Sequence, residues 1–211
     1  MASPKSAQAS TDTKKRGREE TAVTKHDPRA LHRIARELKD AMGMNLREEL
    51  AMEVELVDEA DITRWRFKWF YDHATGPDAT ETQRRLAEQL AERELEFIEF
   101  RVVFPEDYPT SAPFVYNHYP HLKGSYIFSQ GGICAETLST KFGWSCVSRA
   151  YMLVSTVRCL LENAGCRLRS EHDYGSKAAM LVPNPEDGAR RDKNAIEGVH
   201  SDGWHGSAGR G

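Results

Sequence analysis

This sequence predicts an α+β fold: an N-terminal helix, an antiparallel meander of about four strands, then helices packed on one face. Three patterns carry the prediction. Apolar residues recur at helical spacing from Leu31 to Met42. They alternate with polar ones over Trp65–Tyr71 and again over Ile98–Phe104. Helical spacing then returns between Met152 and Leu161.

Residues 1–27 are rich in Ser, Thr, Lys, Ala and Glu without apolar periodicity, so a disordered polar tail is expected there. Its basic run, Lys14-Lys15-Arg16 with Arg18, reads as solvated tail, with a nuclear-import signal as the alternative. Asp27-Pro28 is a helix start, an N-cap followed by proline at the first helical position. Leu31, Ile34, Leu38 and Met42 follow as one stripe, and Gly43 can end the helix. The opposite face carries Arg29, Arg33, Arg36 and Lys39, a surface suited to water or to an acidic partner.

Residues 51–57 form a mixed strand-like segment. In the next, Trp65, Phe67, Trp69 and Tyr71 share one face and Phe70 breaks the alternation. Gly76-Pro77 marks a turn, and 78–93 reads as a polar helix. Strand character returns over 95–104, with a short strand beginning at Phe114-Val115. Between Pro105 and Ser148 the chain is rich in Gly, Pro, Ser and Tyr, and so long a loop is usually functional. A helix follows over about 148–163. Its stripe is Met152, Leu153, Thr156, Val157, Leu160 and Leu161, and Gly165 sits at the C-terminal cap. Short helices are expected over 176–182 and 187–199, separated by Pro183 and Pro185.

Among the 211 residues, 39% are hydrophobic and 29% charged, which fits one folded core with polar ends. The net charge of −3 gives no electrostatic case for nucleic acid or an anionic membrane as partner. No apolar leader or membrane-length apolar run is visible. The cysteines at 134, 146, 159 and 166 include no CxxC pair, and no Cys/His spacing matches a zinc site. Reduced thiols, a cytoplasmic and/or nuclear location, and no metal or cofactor are the expectations. Cys159 and Cys166 read as small buried apolar residues on or after the late helix.

Three features in the long loop carry chemistry. Phe104-Pro105-Glu106-Asp107-Tyr108-Pro109-Thr110-Ser111-Ala112-Pro113 leaves a strand under three prolines that fix φ and remove donors, so it must be an ordered non-sheet loop. Gly131-Gly132-Ile133-Cys134 places a thiol after two glycines, which suits a shallow open groove. Trp144 follows before the late helix.

This order resembles the ubiquitin-conjugating enzymes, in which an F-P-x-x-Y-P-x-x-P-P loop precedes the active cysteine and a tryptophan follows it. The likeness is greatest to the Q-type subgroup, with its G-G-x-I-C-x-E-x-L and K-x-G-W stretches. Here these are Gly131-Gly132-Ile133-Cys134-Ala135-Glu136-Thr137-Leu138 and Lys141-Phe142-Gly143-Trp144. The late His…Gly-Trp element of that subgroup has its counterpart in His200-Ser201-Asp202-Gly203-Trp204, one residue shorter. The resemblance implies a ubiquitin-conjugating (UBC) fold over residues 28–211, with a core at 28–165 and a C-terminal helical extension at 166–211.

It further implies that Cys134 takes ubiquitin, or a related modifier, from an activating enzyme as a thioester. Activating-enzyme docking would use the first-helix cations, and the proline loop with Tyr108 and Pro109, together with Trp144, would serve ligase docking. Tyr126, His200 and Trp204 correspond to Q-type residues implicated in transfer to hydroxyl acceptors. The departures carry implications too. Tyr119-Pro120-His121 stands where most of the family has His-Pro-Asn, which makes His121 a further candidate and disfavours standard lysine transfer. Thr110 replaces the phenylalanine that ligases grip, and Ser145-Cys146-Val147 replaces Ser-Pro-Ala, so RING docking is weakened on both loops. Two other readings stay open: a UBC-fold binding module without activity, and a thiol protease, whose signatures the flanking sequence does not fit.

Overall fold

The computed structural model describes residues 26–74, 76–134, 143–170 and 186–191. The expected tail at 1–27 falls outside them except for His26 and Asp27. His26 donates a ring N–H to the Phe104 carbonyl at 3.1 Å, so the folded unit is already tied down there.

Helix α1 spans Pro28–Gly43, and the Asp27 carboxylate caps it by accepting the Arg29 N–H at 2.7 Å. Its buried face is Ala30, Ile34, Glu37, Leu38 and Ala41. Met42, expected on that face, is 64% exposed, because Ala41 takes the inward place three residues after Leu38. A short helix α2, Leu46–Leu50, ends at Ala51 in the left-handed region.

Strands β1 (Met52–Asp58), β2 (Asp61–Phe70), β3 (Phe97–Val103) and β4 (Phe114–Tyr119) form one antiparallel sheet in sequence order. The expected alternation holds. Trp65, Phe67 and Trp69 lie opposite Val102, Phe100 and Ile98, and all six are fully buried on the inner face. Phe70 breaks the pattern because it faces outward beneath the Arg47 guanidinium, 3.8 Å from its ring centre. The polar stretch between β2 and β3 is α3, Glu81–Ala91, started by a Thr80/Gln83 capping box.

β4 begins at Phe114 as expected and runs to Tyr119. Its apolar alternation is hidden by Asn117, which occupies an inward position and is fully buried. The short strands β5 (Leu122–Lys123) and β6 (Arg167–Leu168) pair with each other.

Helix α4, Ala150–Asn163, packs Leu153, Val154, Val157 and Leu161 inward. Met152 and Thr156, expected in the stripe, are exposed. The reason is Arg158, a charged residue in an inward place. It donates to the carbonyls of Leu50 (2.7 Å), Ala51 (3.1 Å) and Phe70 (3.2 Å) and to Glu162 (2.7 Å). Glu162 also accepts from Tyr71 Oη and Gln83 Nε2. Hydrogen bonds from all three guanidinium nitrogens let this buried ion pair stand in the core, and an apolar pattern cannot reveal it.

The outer sheet face is largely charged, with Glu55 accepting from both Arg66 and Lys68. One end of it is covered by a helical turn at 186–191, whose Ala189 packs with Val103, Phe114 and Tyr116. The helix expected at 176–182 and most of that at 187–199 lie outside the described residues. Among the described residues no helix is long and apolar enough to cross a membrane.

Candidate thiol site

Cys134 ends a small ladder laid against β4. Tyr116 bridges Gly132, Ile127 bridges Ile133, and Gly124 bridges Ile127. The Asn117 N–H donates to the Gly131 carbonyl at 2.9 Å, the Phe128 N–H to Gly132 at 2.9 Å, and the Cys134 N–H to Tyr126 at 2.9 Å. Gly131 is required by space and by torsion: its φ is +86°, and a Cβ there would stand 2.2 Å from the Asn117 carbonyl oxygen. The ladder delivers a half-buried Cys134 beside the turn that carries Tyr126, whose side chain is 39% exposed. Of the acceptor-side candidates, Tyr126 is thus at the cysteine. His200 and Trp204 lie outside the described residues.

Asn117 is a residue of the site's framework that sequence reasoning missed. Its Nδ2 donates to the Pro120 carbonyl at 3.0 Å and to Glu99 at 3.4 Å, and its Oδ1 accepts from the Leu122 N–H at 2.7 Å. It therefore fastens the turn with the cis Tyr119–Pro120 bond that precedes His121. The one signal available was an amide set between Val115 and Tyr119 in a strand-forming run.

His121 is half-buried, and its carbonyl accepts the Arg169 N–H at 2.8 Å. Burial, then the charges of Arg169 and His118, hold its imidazole below the ordinary histidine value, which favours the neutral form.

The proline loop closes on α1 and α4. Tyr108 Oη donates to Glu37 at 2.7 Å, and Glu37 also accepts from Arg33 Nε (2.8 Å) and from the Ala150 N–H (3.0 Å) at the start of α4. Burial first, then Glu37, raises the Tyr108 hydroxyl far above the phenol range. Trp144 Nε1 donates to the Pro109 carbonyl at 2.8 Å, with its ring 6.0 Å from that of Tyr108. Tyr108, Pro109 and Trp144 are thus one joined group. Tyr108 (3% exposed) and Trp144 (7%) are too buried to present a docking surface, and they brace the loop from within.

Arg33 likewise leaves the expected free basic face. It is half-buried, bonded to Glu37 and to the Ser148 carbonyl, and lies 5.5 Å from the Tyr108 ring centre. Arg29, Arg36 and Lys39 remain exposed.

Cys166 is buried as expected, its thiol pushed up to about 12 by burial and then by Glu162. Cys159, expected to be buried, is exposed, because Arg158 holds the inward position next to it.

No family model matches the chain. It is 33% identical to a human Q-like ubiquitin-conjugating enzyme protein (Q-like protein 1) over 107 residues, which are 51% of this chain and 58% of that protein. A Q-like ubiquitin-conjugating enzyme protein of Drosophila melanogaster is 27% identical over 113 residues, 54% of this chain and 34% of the relative. Ubiquitin-conjugating enzyme E2 25 of Caenorhabditis elegans is 24% identical over 179 residues, 83% of this chain and 43% of that protein. The matches thus span about half, or less, of each relative's length. Among solved structures, human ubiquitin-conjugating enzyme E2 G1 has a TM-score of 0.44 at 19% identity, covering 64% of this chain and 96% of that one. A Plasmodium vivax ubiquitin-conjugating enzyme E2 also scores 0.44, at 20% identity, covering 61% and 98%. By its sequence relatives, this chain is similar to ubiquitin-conjugating enzymes, and among them to Q-like proteins.

Proposed function

We propose that the protein accepts ubiquitin, or a ubiquitin-like modifier, from an activating enzyme as a thioester on Cys134 and passes it to acceptors that include hydroxyls. The observation that carries this reading is the placement of Cys134: half-buried, after Gly131-Gly132, and hydrogen-bonded by its own amide to Tyr126. The Cys134 sulfur attacks the thioester carbonyl. A new C–S bond forms, the bond to the activating enzyme's cysteine breaks, and the proton lost from Cys134 is balanced by protonation of the departing thiolate. Exchange of one thioester for another is nearly isoenergetic, so position matters more than strong activation. In the second step the acceptor oxygen or nitrogen displaces the Cys134 thiolate and gives up its proton.

A hydroxyl is a poor nucleophile until that proton is leaving, so hydroxyl transfer gains most from a base. Tyr126 and His200 with Trp204 form the acceptor side, and His121 is a further candidate. Weak RING docking follows from Thr110 and from Ser145-Cys146-Val147. A cytoplasmic or nuclear setting suits the free thiol.

The test is incubation with activating enzyme, ATP and ubiquitin. A reductant-cleaved adduct should form, vanish in Cys134→Ala, and become a slower-forming, reductant-stable ester in Cys134→Ser. Normal charging of Cys134→Ala would sink the reading.

A further inference from the structure

The turn that delivers Cys134 is gripped from two sides. On one side Arg169 Nη1 donates to the Ser129 carbonyl at 2.7 Å. On the other stands the helical turn at 186–191, distant in sequence and packed on the outer face of the sheet. Glu186 is buried there and accepts from Arg64 of β2 and from Arg190 Nε and Nη2 at 3.0 and 2.9 Å. The Arg190 guanidinium lies 5.2 Å from the Phe114 ring centre, and Ala189 is fully buried among Val103, Phe114 and Tyr116. Gly188 faces Gln130 so closely that a Cβ would stand 2.9 Å from its Oε1, 3.0 Å from its Cβ and 3.2 Å from its Cγ. Gln130 directly precedes the Gly131 whose carbonyl is bonded to Asn117. Tyr116 joins both systems, since its ring packs on Ala189 while its backbone bridges Gly132.

We propose that residues 186–191 are a positioning clamp for Cys134. Glu186 on Arg64 fixes the segment to the sheet, and Gly188 against Gln130 holds the 128–131 turn, so the reach of the thiol is set from the outer face. Glu186, Gly188 and Gln130 are positioning residues that touch no reacting atom. The proposal rests on the thioester reading for its consequence in catalysis, but the position of the thiol can be measured without it.

The experiment is timed alkylation of the full chain by iodoacetamide, with peptide mass spectrometry reporting Cys134 against the exposed Cys146 and Cys159 as internal references. Gly188→Ala pushes on Gln130, and Glu186→Ala releases the segment. Each should shift the ratio of Cys134 alkylation to that of the references several-fold. Gln130→Ala removes two of the three close atoms and should return the Gly188→Ala ratio toward the parent value. In loading assays the saturated rate should fall by roughly tenfold or more with KM for the charged activating enzyme unchanged, as a displaced nucleophile requires. Unchanged ratios in both single variants would overturn the clamp. So would a rise shared equally by all three cysteines with a lowered Tm, which is general loosening. Failure of the parent protein to load would overturn the thioester reading instead, and the alkylation ratio would still decide the clamp.

Discussion

The amide of Cys134 donates to the carbonyl of Tyr126 at 2.9 Å, and the bond is made by main chain alone. Tyr126 is thereby fixed beside the cysteine through its main chain, and its side chain is exposed. Tyr126→Phe should therefore leave charging of Cys134 intact and slow discharge to glycerol or free serine. Thioester loss on a preloaded sample measures it. Equal slowing of charging would assign the hydroxyl to the fold rather than to the acceptor.

Glu37 joins α1, the proline loop and α4 through Arg33, Tyr108 and Ala150. Glu37→Ala strands the buried Tyr108 hydroxyl and the first amide of α4. Each orphaned donor costs about 1–3 kcal/mol, so the loss should be on the order of 3 kcal/mol. Tyr108→Phe removes a donor without stranding one elsewhere and should cost about 1 kcal/mol. Urea denaturation compares the two, and equal small losses would contradict the hub.

At Gly131 the left-handed φ and the closeness of Asn117 add together. A Cβ in that region costs about 1–2 kcal/mol for the torsion, and forcing the Asn117 carbonyl aside adds about 1–3 kcal/mol. Gly131→Ala should destabilise by about 2–5 kcal/mol and also slow charging, because the displaced carbonyl belongs to the residue that fastens the ladder. Gly132→Ala has no positive φ to violate and serves as the comparison. If the two cost the same in denaturation, the torsional argument fails.

How much of this was legible follows from which forces leave a periodic trace. Trp65, Phe67, Trp69, Ile98, Phe100 and Val102 show strict alternation because one sheet face is buried, so the meander could be read directly. The thiol loop was legible from Gly131-Gly132 and the three prolines, residues whose backbone restrictions are visible as letters. Buried polar residues leave no such trace. Arg158 displaced the expected α4 stripe, Asn117 concealed most of β4, and Glu37 drew Arg33 away from the basic face. Each is tolerated inside only because distant partners satisfy it, and those partners are known only once the chain is folded. The outer-face packing of 186–191 was illegible for the same reason, since Gly188 and Gln130 meet through tertiary structure alone.

The cations of α1 separate into two kinds. Arg36→Glu with Lys39→Glu should slow charging through weaker association, and added salt should slow the parent protein in the same way. Arg33→Glu should instead lower Tm, because it sets a second carboxylate against Glu37. Charging that ignores both the double reversal and salt would leave Arg29, Arg36 and Lys39 as a solvated face.

His121 gives the fold an acid-sensitive point. Its ordinary value is 6.5, and in the folded protein it is lower, first through burial and then through Arg169 and His118. The unfolded chain therefore binds a proton near pH 6.5 that the folded chain refuses until lower pH. In that interval the unfolded state holds more protons, so stability rises with pH and is lost as pH falls below 6.5. His118 shifts in the same direction, again mainly by burial, and adds to the effect. Glu55 and Asp72 are lowered by Lys68 and Arg47, their first causes, so the stability they contribute is lost only in the more acidic range below ordinary carboxylate values. Urea midpoints at about pH 7.5 and about pH 5.5 thus isolate the histidines. The parent protein should lose stability between the two, and His121→Gln, which keeps a polar side chain without a proton to gain, should lose less. The same substitution separates structure from chemistry. If discharge of preloaded thioester to a hydroxyl at neutral pH slows in His121→Gln while charging and the neutral-pH urea midpoint hold, His121 contributes its neutral nitrogen to the acceptor step. If discharge is unchanged, the residue is a half-buried histidine whose only role is the acid sensitivity of the fold.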